Sequence, residues 1–141
     1  MPLKLSLKPG EKLVLNGAVI TNGDKRTSVI IQNKVCLLRE KDIMQPEEAV
    51  TPARRIYLPI MMMYLDPDGC EQYYNDFALR MTEFMGAITN PQALANCIEI
   101  SRDVMSGAYY KALVLCRKLF DFEQELLRYD PQSVPKHAAN R

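Results

Sequence analysis

Leu3, Leu5 and Leu7 alternate with Lys4, Ser6 and Lys8, the period-two pattern of a half-buried strand. Pro9-Gly10 signals a turn. Leu13, Val14 and Leu15 form a second apolar run, and Asn16-Gly17 then marks a hairpin turn into a third strand, Ala18 to Thr21. Asn22-Gly23-Asp24 turns the chain again before Ser28 to Gln32, a β-branched stretch that reads as a fourth strand. After Asn33-Lys34, Val35 to Leu38 reads as a fifth. Tight turns between five strands predict a small antiparallel sheet or open barrel. About 45 residues of sheet bury little core alone, so this part must pack on the helices that follow or on a second copy of itself.

Beyond the linker Gln45-Pro46-Glu47-Glu48 the apolar period changes to that of helices. Thr51-Pro52 is an N-cap followed by proline at the first helical position. That helix runs to about Leu65, kinked or interrupted at Pro59. After the Asp66-Pro67-Asp68-Gly69 break, a second helix over about Glu71 to Ile88 places Tyr74, Phe77, Ala78, Met81, Phe84, Met85 and Ile88 on one face. Asn90-Pro91 repeats the cap-then-proline signature and opens a helix with Leu94, Cys97, Ile98, Ser101 and Met105 along one stripe. Ser106-Gly107 separates it from a last helix, Ala108 to about Arg128, whose apolar residues are Tyr109, Ala112, Leu113, Cys116, Leu119, Phe120 and Leu127. The fold class expected is therefore α+β, a five-stranded antiparallel sheet followed by a bundle of about four helices. Residues 1–45 form the sheet part, 46–128 the helical part and 129–141 a flexible tail.

With 141 residues, 48% of them apolar and 25% charged, the chain can bury a core and is not of disordered composition. The densest apolar stretch, Ile56 to Leu65, is ten residues and contains Pro59, too short to span a bilayer. Met1-Pro2-Leu3-Lys4 lacks the long apolar region of a secretory signal, so the expected location is the cytoplasm, with no membrane partner. Residues 1 to 45 carry eight basic side chains against four acidic ones, an excess of +4, while the whole chain is only +1. The rest is thus acidic by −3, which suggests two surfaces with different partners.

Catalytic chemistry is not visible. The single histidine, His137, lies in the expected tail, and no phosphate-binding glycine loop occurs. Cys36, Cys70, Cys97 and Cys116 are scattered, without the local spacing of a zinc site, and read as reduced apolar residues. A calcium loop opening at Asp66 has Cys70 and Phe77 where oxygen ligands are needed. No enzyme activity, cofactor or metal is expected. Met61-Met62-Met63 reads as gap-filling core rather than an adaptable groove.

Several long stretches resemble the FlbT family. They are Leu5-Ser6-Leu7-Lys8-Pro9-Gly10-Glu11-Lys12, Leu15-Asn16-Gly17-Ala18, the run Leu38 to Glu47, Thr51-Pro52-Ala53-Arg54-Arg55-Ile56-Tyr57, Met61 to Pro67, Glu99 to Met105, and Tyr109-Tyr110-Lys111-Ala112-Leu113. The resemblance implies a post-transcriptional regulator that binds the 5′ untranslated region of flagellin messenger RNA and controls its translation and stability, usually as a repressor. It also implies a functional partner, FlaF. A weaker likeness links the first 45 residues to the CsrA RNA-binding family, through Lys8-Pro9-Gly10-Glu11 and Leu37-Leu38-Arg39-Glu40 with Ile43. In that family the first strand of one chain and the last strand of its partner build the RNA site, which implies a homodimer. Carried over, the likeness points to Leu5, Ser6, Lys8, Leu37, Leu38 and Arg39. Leu7 and Leu38 stand where that family has a basic residue and a histidine.

The basic strand residues Lys4, Lys12 and Lys41 extend this candidate RNA surface, since lysines supply salt-sensitive phosphate contacts. No aromatic residue precedes Tyr57, so a base-stacking platform is absent from this part. Arg39 has two readings, a base or phosphate contact and an ion pair with Glu11 or Asp42. The competing function is a protein-interaction adaptor in flagellum assembly. It would act on FlaF or flagellin through helical anchors such as Tyr73, Tyr109, Tyr110 or Phe122.

Overall fold

The computed structural model describes residues 2–127. The expected tail, 129–141, together with Arg128 and His137, lies outside them. The chain divides between Ile43 and Met44 into two compact units.

The first unit contains five strands: β1 (Leu3–Leu7), β2 (Lys12–Leu15), β3 (Ala18–Thr21), β4 (Thr27–Ile31) and β5 (Leu37–Arg39). All pairings are antiparallel, as expected, but they make two small sheets rather than one. β1 pairs with β4, with Leu5 opposite Val29 and Ser6 opposite Ser28. β2 lies between β3 and β5, with Val14 opposite Val19 on one side and Leu38 on the other. Of the links between consecutive strands, only β2–β3 is a hairpin. Its two-residue loop has Asn16 at φ 51° and Gly17 at φ 84°, the paired left-handed geometry that matches strand twist and that Asn-Gly tolerates best. Leu5, Leu7, Leu13, Val14 and Leu38 are the buried apolar residues of the unit.

The second unit holds α1 (Pro52–Leu65), α2 (Cys70–Ala87), α3 (Pro91–Met105) and α4 (Tyr109–Leu127). α1 packs on α2 and α4, and α3 packs on α4. Thr51 and Asn90 cap α1 and α3, accepting the amides of Arg54 at 3.3 Å and Ala93 at 3.0 Å, with proline next in each case. α3 ends in a Schellman motif: the Ala108 amide reaches Asp103 O and the Gly107 amide reaches Val104 O. The core is built from Ile56, Tyr57, Ile60, Met63, Phe77, Phe84, Cys97, Ile100, Leu113 and Leu119.

Two expectations are corrected here. α1 is not interrupted at Pro59: the helix continues through that residue, which is itself buried. One backbone bond is lost there, and burial of Ile56, Ile60 and Met63 on the same helix outweighs it. α3 turns a different face inward: Ala93, Cys97, Ile100 and Val104 are buried, whereas Ile98 and Met105 are exposed. Both stripes satisfy helical spacing, and the tertiary packing of α3 on α4 decides between them. Met61 and Met63 are buried and Met62 is half-buried, in keeping with a core role. Among the described residues no helix is long and apolar enough to cross a membrane.

Candidate functional site

Lys8-Pro9-Gly10-Glu11 forms a turn closed by the Glu11 amide on Lys8 O at 3.0 Å. Proline and glycine hold its two central positions, as a type II turn prefers. The Glu11 carboxylate then reaches back over it. Oε1 accepts the Lys8 amide at 2.9 Å, and Oε2 accepts Arg39 Nη2, also at 2.9 Å. The same Arg39 nitrogen donates to Ser6 O at 2.7 Å. Arg39, on β5, therefore ties β1 of one sheet to the three-stranded sheet within a single chain. The Lys8 amide, then the Arg39 guanidinium, hold the Glu11 carboxyl below its usual pKa. The ion pair with Glu11, one of the two readings of Arg39 left open by the sequence, is present.

Asn22 secures the same turn from the other side. Its side-chain amide donates to Leu7 O, Lys8 O and Lys25 O at 2.8 to 3.2 Å, and the Gly10 amide reaches Gly23 O. Arg26, just before β4, extends its Nη1 to the Ser6 hydroxyl oxygen at 3.2 Å. Ser6, the turn at residues 8–11, Arg26 and residues 39–41 line an open cleft of about 570 Å³. Its charged lining is Lys8, Arg26, Arg39 and Lys41 against Glu11 and Glu40. One carboxylate oxygen of Glu40 is occupied by the Lys12 amide at 2.6 Å. Four cations against two engaged carboxylates give the cleft a positive excess suited to a polyanion.

The residues expected from sequence divide into three groups. Ser6, Lys8, Arg39 and Lys41 line the cleft together. Lys4, Lys12 and Leu37 do not line it; Lys4 and Lys12 are exposed on β1 and β2, and Leu37 is half-buried on β5. Leu5 and Leu38 are core residues, 6% and 0% exposed, and their side chains are not available to a ligand. Arg26 is a cleft residue that the sequence does not single out. Twenty positions separate it from Ser6, and only the pairing of β1 with β4 brings them together. Its one sequence signal is a basic residue opening a β-branched run.

On the helical unit, Tyr73 is half-buried and donates to Asp66 Oδ2 at 2.9 Å. Tyr109 lies 3.2 Å from Cys70 Sγ. Phe122 packs edge-on against Phe84. Tyr110 is exposed and stacks obliquely on Tyr64. Among the described residues no group of three or more His, Cys, Asp or Glu side chains is placed to hold a metal ion.

The family model for "Flagellar protein FlbT" matches residues 3–127. The flagellum biosynthesis repressor protein FlbT of Caulobacter vibrioides (strain ATCC 19089 / CIP 103742 / CB 15) is 61% identical over 134 residues, covering 95% of each chain. The probable flagellum biosynthesis repressor protein FlbT of Caulobacter sp. (strain K31) is 61% identical over 127 residues, 90% of this chain and 97% of the relative. That of Rhodopseudomonas palustris (strain TIE-1) is 41% identical over 129 residues, 90% of this chain and 98% of the relative. No solved structure matches the chain.

Proposed function

The chain belongs to the FlbT family of flagellar proteins, and from that premise we propose that it represses flagellum biosynthesis by binding the 5′ untranslated region of flagellin messenger RNA. The reading rests on one observation, the cleft that gathers Lys8, Arg26, Arg39 and Lys41 around Ser6 with only two carboxylates, both engaged. Single-stranded RNA presents closely spaced phosphates that such a cleft attracts. No aromatic side chain precedes Tyr57, so phosphate contacts rather than stacking supply most of the affinity. The protein acts in the cytoplasm on this reading. The strand part of the chain takes the RNA, alone or as a homodimer, and the helical part is left for a protein partner.

The test is a titration of purified protein with a flagellin 5′ leader transcript at about 50 and 200 mM salt, where several phosphate contacts are expected to weaken binding by orders of magnitude. Binding that falls steeply with salt, and falls further in Lys8→Ala, supports the reading. Absence of binding by folded protein overturns it. A second reading then gains weight, an adaptor acting on FlaF or flagellin, which the exposed apolar Met105, Tyr110 and Val114 near the α3–α4 junction favour.

A further inference from the structure

We infer that Arg26, held against the Ser6 hydroxyl, is the principal phosphate-gripping side chain of the cleft, and that Arg39 serves as the pin that shapes it. The inference rests on the RNA-binding reading above and sharpens it.

The two arginines differ in what already occupies them. Arg39 has a side chain 30% exposed, and its Nη2 is shared between Ser6 O and Glu11 Oε2. Its charge is matched by a carboxylate that is itself only 15% exposed and fixed by the Lys8 amide. A phosphate at Arg39 competes with Glu11 for its charge, and any displacement of Glu11 would loosen the turn that Glu11 closes. Arg26 is exposed, and no carboxylate of the described residues lies within ion-pair distance of it. Among the described residues its side chain has one hydrogen bond, to a neutral hydroxyl at 3.2 Å, which leaves the other guanidinium donors to a ligand. A guanidinium pairs a phosphate through two parallel N–H donors.

Ser6 completes the grip. Its carbonyl accepts from Arg39, and its hydroxyl oxygen accepts from Arg26. The hydroxyl proton is therefore free to be donated towards the cleft that Ser6 lines. The Glu11 amide is used within the turn and the Gly10 amide by Gly23 O, so neither is left to build an anion nest. Recognition falls to side chains, and Arg26 is the arginine of the cleft whose charge is not matched by a carboxylate among the described residues. Lys8 and Lys41 add non-directional charge.

The experiment titrates the full chain, wild type and variants, with a flagellin 5′ leader transcript across a salt series, alongside urea unfolding of each protein. Arg26→Ala is expected to weaken binding roughly tenfold at low salt and to lower the salt slope by about 0.7, one single-strand phosphate contact. Its unfolding midpoint stays at the wild-type value. Arg26→Lys restores the slope but only part of the affinity, because the charge returns without the fork. Arg39→Gln is expected to lower the unfolding midpoint while the folded protein keeps the wild-type slope. An Arg26→Ala protein with wild-type affinity and slope overturns the assignment while leaving RNA binding intact. No salt-dependent binding by the wild type overturns the underlying reading and this assignment with it.

Discussion

Glu123, near the end of α4, accepts the amide of Ala53 in the first turn of α1 at 2.8 Å, while its other oxygen accepts the Thr51 hydroxyl at 2.7 Å. A carboxylate from one helix thus caps the start of another, where unpaired amides and the helix dipole favour negative charge. Glu123 is 9% exposed, so its loss leaves a buried amide without a partner. Glu123→Ala is expected to cost about 2–3 kcal/mol in urea unfolding, and Thr51→Ala about 1 kcal/mol. Equal, negligible losses from both would show that water replaces the cap.

The Glu11–Arg39 pair makes a pH prediction. The folded-state pKa of Glu11 lies below its ordinary 4.5. A depressed carboxylate contributes stability above its unfolded pKa and loses it as pH falls through the folded one. The stability difference between wild type and Glu11→Gln is therefore expected to shrink steadily as pH drops below about 4.5. Denaturant curves at pH 7 and across the acid range read it directly; a difference that does not change with pH would mean the pair is dispensable.

At the β2–β3 hairpin, Gly17 has φ 84° and open space where a Cβ would stand. The strain of an Ala substitution there is purely conformational, about 1 kcal/mol. Gly17→Ala should lower the unfolding midpoint, and Gly23→Ala, also in open space but without positive φ, should not. Matching losses would show that the positive φ of Gly17 is not what makes the substitution costly.

Burial separates the thiols. Cys36 is exposed, whereas Cys97 and Cys116 are buried, and desolvation pushes the Cys97 thiol up to about 11 and Cys116 further. Only thiolates react readily. A disulfide reagent at pH 7.5 is expected to modify Cys36 quickly and Cys97 and Cys116 only on unfolding. Rapid labelling that survives Cys36→Ser and Cys70→Ser together would show that the α3–α4 core opens.

The candidate site is partly legible in the sequence. The spacing Lys8-Pro9-Gly10-Glu11 announces a turn, and the CsrA resemblance points to Ser6, Lys8 and Arg39, all of which line the cleft. The same resemblance singles out Leu5 and Leu38, yet they lie in the core, because correspondence of position carries no information about which face a short strand buries.

By itself the sequence determined which stretches form strands and helices, and where the capped helices begin. Asn16-Gly17, Thr51-Pro52, Asn90-Pro91 and Ser106-Gly107 act through neighbours within four residues, and caps and turns need nothing more. Tertiary structure alone decided that five strands split into two sheets, which stripe of α3 faces inward, that Arg26 meets Ser6, and that Glu123 caps a helix starting about seventy positions earlier. Those outcomes join residues far apart in the chain. They are selected by how whole faces pack and which buried polar groups find partners, and no local pattern records that choice.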